Sequence, residues 1–237
     1  MSFLLRKVLN VPFPDTCIVC RRPCNSKSYA CHNCTTTLEY ITIAYKCRTC
    51  LGFLHSAQNG MCGSCLTEKP NYSRLISCVK YKGDIAKSLK AFKFHDRPDL
   101  HVGFSKLACE VLERENIEFD TVIPVPLSEK SLKKRGYNQS ALIAKYIAEY
   151  FNAEFHDNVL IKTKETKPQS SLKLPERRKN IHKAFSVKDK NKLYGRSILI
   201  VDDIYTSGCT MREAAKVCAD FADDIIAFTI AKGTLEK

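Results

Sequence analysis

Two groups of residues in this 237-residue chain have the types and the spacing to do chemistry. The first lies in Ser-Ile-Leu-Ile-Val-Asp-Asp-Ile-Tyr-Thr-Ser-Gly-Cys-Thr-Met, residues 197–211, where Asp202 and Asp203 precede the small, hydroxyl-rich run Thr206-Ser207-Gly208-Cys209-Thr210. Adjacent carboxylates suit sugar hydroxyls or a metal ion. Gly208 lets the backbone come close to a ligand, and the hydroxyls of Thr206, Ser207 and Thr210 add donors, which suits a phosphate. The second group is eight of the thirteen cysteines, in four Cys-x-x-Cys pairs: Cys17/Cys20, Cys31/Cys34, Cys47/Cys50 and Cys62/Cys65. Two residues between cysteines let both thiolates turn toward one ion, and two such pairs complete a tetrahedral four-sulfur shell.

Elements must hold these groups in place. Ile198 to Val201 are four apolar β-formers, the pattern of a strand buried on both faces of a parallel sheet, and the run stops at the two acids. Beyond the loop, Met211, Ala214, Ala215, Cys218 and Phe221 recur at spacings of three and four, which reads as a helix. The first amides of a helix lack intrahelical partners and sit at the positive end of its dipole. Ligands of open α/β sheets bind outside the carboxyl ends of the strands. Strand, acids, loop and helix therefore make an anion site, and a phosphate beside hydroxyls suggests a phosphorylated sugar.

The cysteine pairs form an internal repeat. The first and third pairs lie 30 residues apart, the second and fourth 31 apart. A single Cys-x-x-Cys suits redox chemistry, whereas four at near-equal spacing read as metal knuckles. Disulfides would need an oxidising compartment, and no secretion signal is present. We expect two structural zinc ions. Sequential pairing gives 17/20/31/34 and 47/50/62/65, and a cross-braced arrangement satisfies the spacing equally. Cys24, His32 and His55 lie close enough to substitute as ligands. Each half is too short to bury a core alone, so metal would supply its folding energy.

Composition narrows the classes. No apolar run approaches the ~18 residues of a membrane span. Phe3-Leu4-Leu5 precede Arg6-Lys7, the wrong order for a signal peptide, so Met1 to Asn10 is expected to be a short amphipathic segment packed on the body. The formal net charge of +13 favours polyanionic partners, nucleic acid above all. The cysteine pattern ends around Lys69-Pro70-Asn71, where we place a boundary between a cysteine-rich domain, 1–70, and a second domain, 71–237.

That second part alternates strands and helices, which indicates a mostly parallel α/β sheet. Strands are expected at 75–81, 121–125, 159–161, 198–201 and 224–231, and helices at 85–94, around 107–112, and at 139–150. Two polar stretches interrupt the pattern. Residues 128–139 follow a strand and precede a helix, so they should sit at the carboxyl edge of the sheet. Residues 162–183 hold Pro168, Pro175 and Arg177-Arg178-Lys179, show little periodicity, and read as a long mobile loop.

These residues carry two resemblances. The 197–211 stretch resembles the phosphoribosyl pyrophosphate (PRPP) motif of type I phosphoribosyltransferases, with Ser207 where that motif has a second Thr. The resemblance implies that Asp202 and Asp203 contact the ribose hydroxyls of Mg-PRPP and act in catalysis, while residues 206–210 wrap the 5′-phosphate. Val-Ile-Pro-Val-Pro-Leu (122–127), Arg135-Gly136-Tyr137-Asn138-Gln139, and Gln169, Leu172, Glu176-Arg177-Arg178, Asn180 and Ala184-Phe185 resemble the competence protein F family, as does a cysteine-rich head on a phosphoribosyltransferase fold. By that match Pro126, Leu127 and Ser128 open a pyrophosphate loop and Arg135 faces its charge. Tyr137, Asn138 and Gln139 either shape the pocket or fix the loop to the next helix, and Asn138 is equally an N-cap. The 162–183 stretch takes the place of a lid.

The competence family implies natural transformation: a cytoplasmic protein, with the inner face of the cytoplasmic membrane as a further expected location, that handles incoming single-stranded DNA beside a helicase partner. Lys133, Lys134, Arg177, Arg178 and Lys179 are the basic residues expected to hold that strand. Two functions stay open. One is a binding module that keeps the PRPP pocket and works on DNA. The other is an active transferase that moves ribose 5-phosphate from PRPP to an unnamed acceptor, with no direct DNA role.

Overall fold

The continuous apolar runs in the second part of the chain become strands covered on both faces. The structure, a computed structural model, describes residues 15–25, 27–42, 44–54, 60–94, 96–166 and 172–233. The expected amphipathic segment 1–10 lies outside them, as do His55, Pro168 and Gln169. In chain order the elements are β1 (Asp15–Thr16), β2 (Pro23–Cys24), α1 (His32–Thr35), α2 (Gly63–Thr67), β3 (Arg74–Lys80), α3 (Gly83–Phe94), α4 (Leu100–Arg114), β4 (Thr121–Pro124), α5 (Glu129–Arg135), α6 (Gln139–Phe151), β5 (Glu154–Phe155), β6 (Leu160–Lys162), α7 (Leu174–Ile181), β7 (Phe185–Val187), β8 (Ser197–Tyr205), α8 (Cys209–Cys218) and β9 (Asp224–Lys232).

Five strands form one parallel sheet in the order β3-β9-β8-β4-β5, with β8 at its centre. Side chains alternate across a strand, so β8 feeds two cores at once. Leu199 and Val201 pack with α3, α4 and α6, through Leu89, Phe92, Phe104, Ile143 and Ile147. Ile198 and Ile200 pack on the opposite face with Met211, Ala214, Ala215 and Cys218 of α8. The fold class read from the sequence is the one found: a mostly parallel sheet flanked by helices, with two four-cysteine clusters before it.

The cysteine-rich segment lies against this body. Ile18 packs over α4 so closely that a Cβ at Gly103 would collide with it. Asp15 pairs with Lys106 of α4, and Ser88 of α3 donates to the Val19 carbonyl at 3.3 Å. Residues 39–41, between the two clusters, run along edge strand β3. Ile41 N–H donates to the Cys78 carbonyl and Lys80 N–H to the Glu39 carbonyl, and Tyr40 bridges Val79 antiparallel.

The structure departs from the expected elements in four places. The strand read at 198–201 continues through both acids to Tyr205, because β9 stays paired with it as far as Lys232. Polar residues 129–135 form α5, held by Ser128, whose hydroxyl accepts from Ser131 N–H at 3.3 Å, and closed by Gly136 with φ of 78°. The stretch read as a long loop contains α7, which the Glu176 carboxylate holds by accepting from Lys173 N–H at 2.7 Å. The strand read at 159–161 is β6, which leaves the main sheet and pairs antiparallel with β7.

Candidate functional site

The candidate site is a notch made by unequal strands. Strand β4 ends at Pro124, opposite Val201, while β8 runs on to Tyr205 beside β9. From Asp202 onward the β4 side of β8 has no paired strand residue, while β9 stays paired on the other side. Asp202 lies in this notch and accepts from Ser140 Oγ of α6 at 3.1 Å and from Asp203 N–H at 2.9 Å. The buried Asp203 side chain pairs with Lys93 Nζ at 2.8 Å through one oxygen and 2.9 Å through the other. Burial and the neighbouring Asp203 charge raise the Asp202 carboxyl to about 7.

The 206–210 loop leads from β8 into α8. Gly208 has φ of 76°, and a Cβ there would also collide with the Tyr205 hydroxyl, so two separate constraints ask for glycine. Ser207 Oγ donates to Cys209 Sγ at 3.2 Å. Arg177 of α7 reaches Thr206 Oγ1 at 3.4 Å and donates to the Leu172 carbonyl at 2.8 Å. The structure thus brings Arg177 to the loop and separates it from Arg178, which pairs with Glu68 at 3.0 Å, and from exposed Lys179. Lys133 and Lys134 are exposed on α5.

Val125 N–H donates to the Val201 carbonyl at 2.8 Å, so the segment Pro126, Leu127, Ser128 starts beside the acids. Arg135 sits over the Phe94 ring, 4.9 Å from its centre, and donates to Gln139 Oε1 at 3.2 Å. Tyr137 donates to the Phe92 carbonyl at 2.5 Å, and Gln139 Nε2 donates to the same carbonyl at 3.3 Å. Asn138 caps α6 by accepting from Ser140 N–H at 3.1 Å. This segment therefore clamps the end of α3, where Lys93 stands. Lys162 is also near; burial lowers its ammonium, while the charges of Glu165 and Asp202 act the other way.

Sequence reasoning missed Lys93, Ser140, Tyr205 and Lys162 as site residues. Lys93 and Ser140 stand 110 and 62 positions from their acid partners, on helices whose patterns speak only of packing.

The eight cysteines form two clusters paired sequentially, Cys17/Cys20/Cys31/Cys34 and Cys47/Cys50/Cys62/Cys65, each with its sulfurs within 4.8 Å of one another. A tetrahedral shell with metal–sulfur bonds of about 2.3 Å has sulfur–sulfur edges of about 3.8 Å. The Cys20–Cys31 and Cys50–Cys62 separations are 3.9 and 3.7 Å. Both clusters have the donors and the size to hold a metal ion. Cys24 stands apart, bonded to the Ser28 carbonyl at 3.7 Å.

The second cluster touches the loop. Arg212 of α8 donates to Cys65 Sγ at 3.5 Å and to the Glu68 carbonyl at 2.8 Å. Tyr72 donates to the Thr49 carbonyl at 2.9 Å, and its hydroxyl lies 3.2 Å from that of Tyr205, which underlies Gly208.

The parallel sheet, with an acid pair and a hydroxyl-rich loop at the carboxyl end of its central strand, is the arrangement that the resemblance to phosphoribosyltransferases implies. The chain is a homologue of proteins named competence protein F and DNA utilization protein YhgH. It is 28% identical over 210 residues to DNA utilization protein YhgH of Escherichia coli O157:H7, covering 86% of this chain and 90% of that protein. It is 26% identical over 206 residues to competence protein F of Haemophilus influenzae, covering 73% of this chain and 90% of that one. Among solved structures, the glutamine PRPP amidotransferase of B. subtilis is similar with a TM-score of 0.40 and 19% identity, over 59% of this chain and 30% of that one. No family model matches the chain. Among the described residues, no helix is long and apolar enough to cross a membrane.

Proposed function

We propose that this chain is a PRPP-binding, phosphoribosyltransferase-like protein of DNA uptake that handles incoming single-stranded DNA in the cytoplasm. The observation that carries this reading is the acid pair and loop 206–210 in the β8 notch of a homologue of competence protein F. Asp202 and Asp203 take the ribose hydroxyls of PRPP. Thr206, Ser207, Gly208, Cys209 and Thr210 take its 5′-phosphate, with Arg177 behind Thr206. Pro126, Leu127 and Ser128 border the pyrophosphate. Mg²⁺ arrives with PRPP and offsets the pyrophosphate charge. The two cysteine clusters hold structural zinc, for which an all-sulfur tetrahedral shell is the usual environment. Exposed Lys133, Lys134, Arg178 and Lys179, on a chain of net charge +13, offer contacts to a single-strand backbone.

The test is calorimetry with Mg-PRPP, with and without a short single-stranded oligonucleotide. The native chain is expected to bind PRPP, and the double change Asp202→Ala with Asp203→Ala to abolish binding without changing metal content. Normal binding by that variant would overturn the site. A PRPP affinity that shifts with the oligonucleotide links the two ligands. Indifference to it favours the second reading, a transferase for a small acceptor.

A further inference from the structure

The acid pair in this structure already has a cation. Lys93 Nζ bonds both oxygens of Asp203, and its side chain is only 24% exposed while that of Asp203 is 5% exposed. Among the described residues, Lys93 is the ammonium that forms an ion pair with this acid pair. It stands in the last turn of α3, and that turn is not left to fray. Tyr137 and Gln139 both donate to the Phe92 carbonyl, Gln139 also reaches the Lys93 carbonyl at 3.5 Å, and Arg135 stacks on Phe94. Three residues of one short segment thus fix the backbone on both sides of Lys93 and aim it at the notch.

We propose that Lys93 is the specificity residue of the site, an internal counter-ion that selects ligands carrying pyrophosphate at the ribose 1-position over plain ribose 5-phosphate. The inference rests on the PRPP reading above. A ribose hydroxyl that donates to Asp203 competes for a carboxylate whose two oxygens Lys93 now holds. The displaced ammonium is largely buried, and an unpaired buried charge is costly. A ligand with an anionic group beside the anomeric carbon gives that ammonium a new partner. Ribose 5-phosphate has none there, so it leaves the exchange uncompensated. The same ion pair lets two adjacent carboxylates, which would otherwise repel a polyanion, stand in its binding site.

The test compares calorimetric affinities for Mg-PRPP and for ribose 5-phosphate in the native chain, Lys93→Met and Lys93→Arg. Lys93→Met is expected to weaken PRPP binding roughly tenfold or more. Its affinity for ribose 5-phosphate should be unchanged or tighter, because Asp203 is no longer masked. Lys93→Arg should keep the preference for PRPP. Should Lys93→Met fail to fold, Lys93→Gln, which keeps a donor for Asp203 but no charge, takes its place with the same expectations. Equal weakening of both ligands would make Lys93 a packing residue and overturn the proposal, as would no change in either, and both results leave the PRPP site standing. If the native chain binds neither ligand, the site reading itself falls and this inference with it.

Discussion

The two cysteine clusters are near copies in sequence and opposites in their surroundings. Both have Cys-x-x-Cys pairs at almost the same spacing and sulfur edges of nearly the same length. The first belongs to the helical layer: Ile18 lies over Gly103, Asp15 pairs with Lys106, and Val19 takes the Ser88 hydroxyl. None of those partners borders the notch. The second stands behind the loop that follows the acid pair, through Arg212 on Cys65 and through Thr49, Tyr72 and Tyr205. Cysteine spacing encodes the shell that holds an ion. What the shell supports is decided by residues between and beyond the cysteines, and those differ.

This contrast is open to direct attack. The largest expected effect comes from removing ligands: Cys62→Ala with Cys65→Ala should lose one metal ion per chain by metal analysis and weaken PRPP binding tenfold or more, on the order of 1.4 kcal/mol at least. Cys31→Ala with Cys34→Ala should also lose one ion and lower the melting temperature, yet leave PRPP affinity within about threefold. Equal losses of affinity from both pairs would erase the distinction. Next come two glycines. Gly208→Ala places a side chain at φ of 76° against Tyr205 and should cost PRPP binding about 1–3 kcal/mol. Gly103→Ala, which forces Ile18 aside, should lower thermal stability and leave calorimetric affinity alone.

A pH effect separates binding from stability at the notch. Asp202 is raised from 3.8 to about 7 by burial and the Asp203 charge, so the folded protein holds a proton there that the unfolded chain releases. Stability from this group is therefore present at low pH and lost as pH rises through that interval. Asp202→Asn, which stays neutral, should melt higher than the native chain near pH 8 and much the same near pH 4, while losing PRPP affinity at both. A lower melting point near pH 8 would show that the charge is not the strained element. The smallest effect is reserved for Tyr72→Phe, which removes one hydroxyl between Thr49 and Tyr205. It should weaken PRPP binding a few-fold, about 1 kcal/mol, with unchanged metal content.

Much of this was legible in the residues. Ile198-Leu199-Ile200-Val201 reads as a doubly buried strand because each side chain meets its own helical layer. The helix after Gly208 buries Met211, Ala214, Ala215 and Cys218 as its period names, while Phe221 lies beyond its end and is partly buried. The cysteine spacing placed both clusters. Helix α7 was not legible: Leu-Pro-Glu-Arg-Arg-Lys-Asn-Ile has apolar residues only at its ends, and it stays helical by leaning on α8 and Glu68. The local signal present was Pro175 followed by Glu176 in a first turn. Strand β6 was visible as a strand but not as a ribbon, since its partner β7 has three residues, 23 positions further on by the Lys162–Phe185 pairing. Lys93 and Ser140 were silent for the same reason: their roles exist only once α3 and α6 are laid over β8.

Residues 39–41, laid along β3, have a consequence for how the chain behaves as material. A parallel sheet ends in a row of backbone groups able to recruit another strand, and such an edge left bare is a template for association between molecules. Here the short run between the two clusters occupies that row, through Ile41 on Cys78, Lys80 on Glu39, and the Tyr40–Val79 bridge. Glu39 adds charge at the rim, paired with Lys80 and Lys82. A chain shortened to begin at residue 71 would carry β3 uncovered and is expected to self-associate more readily than the full chain.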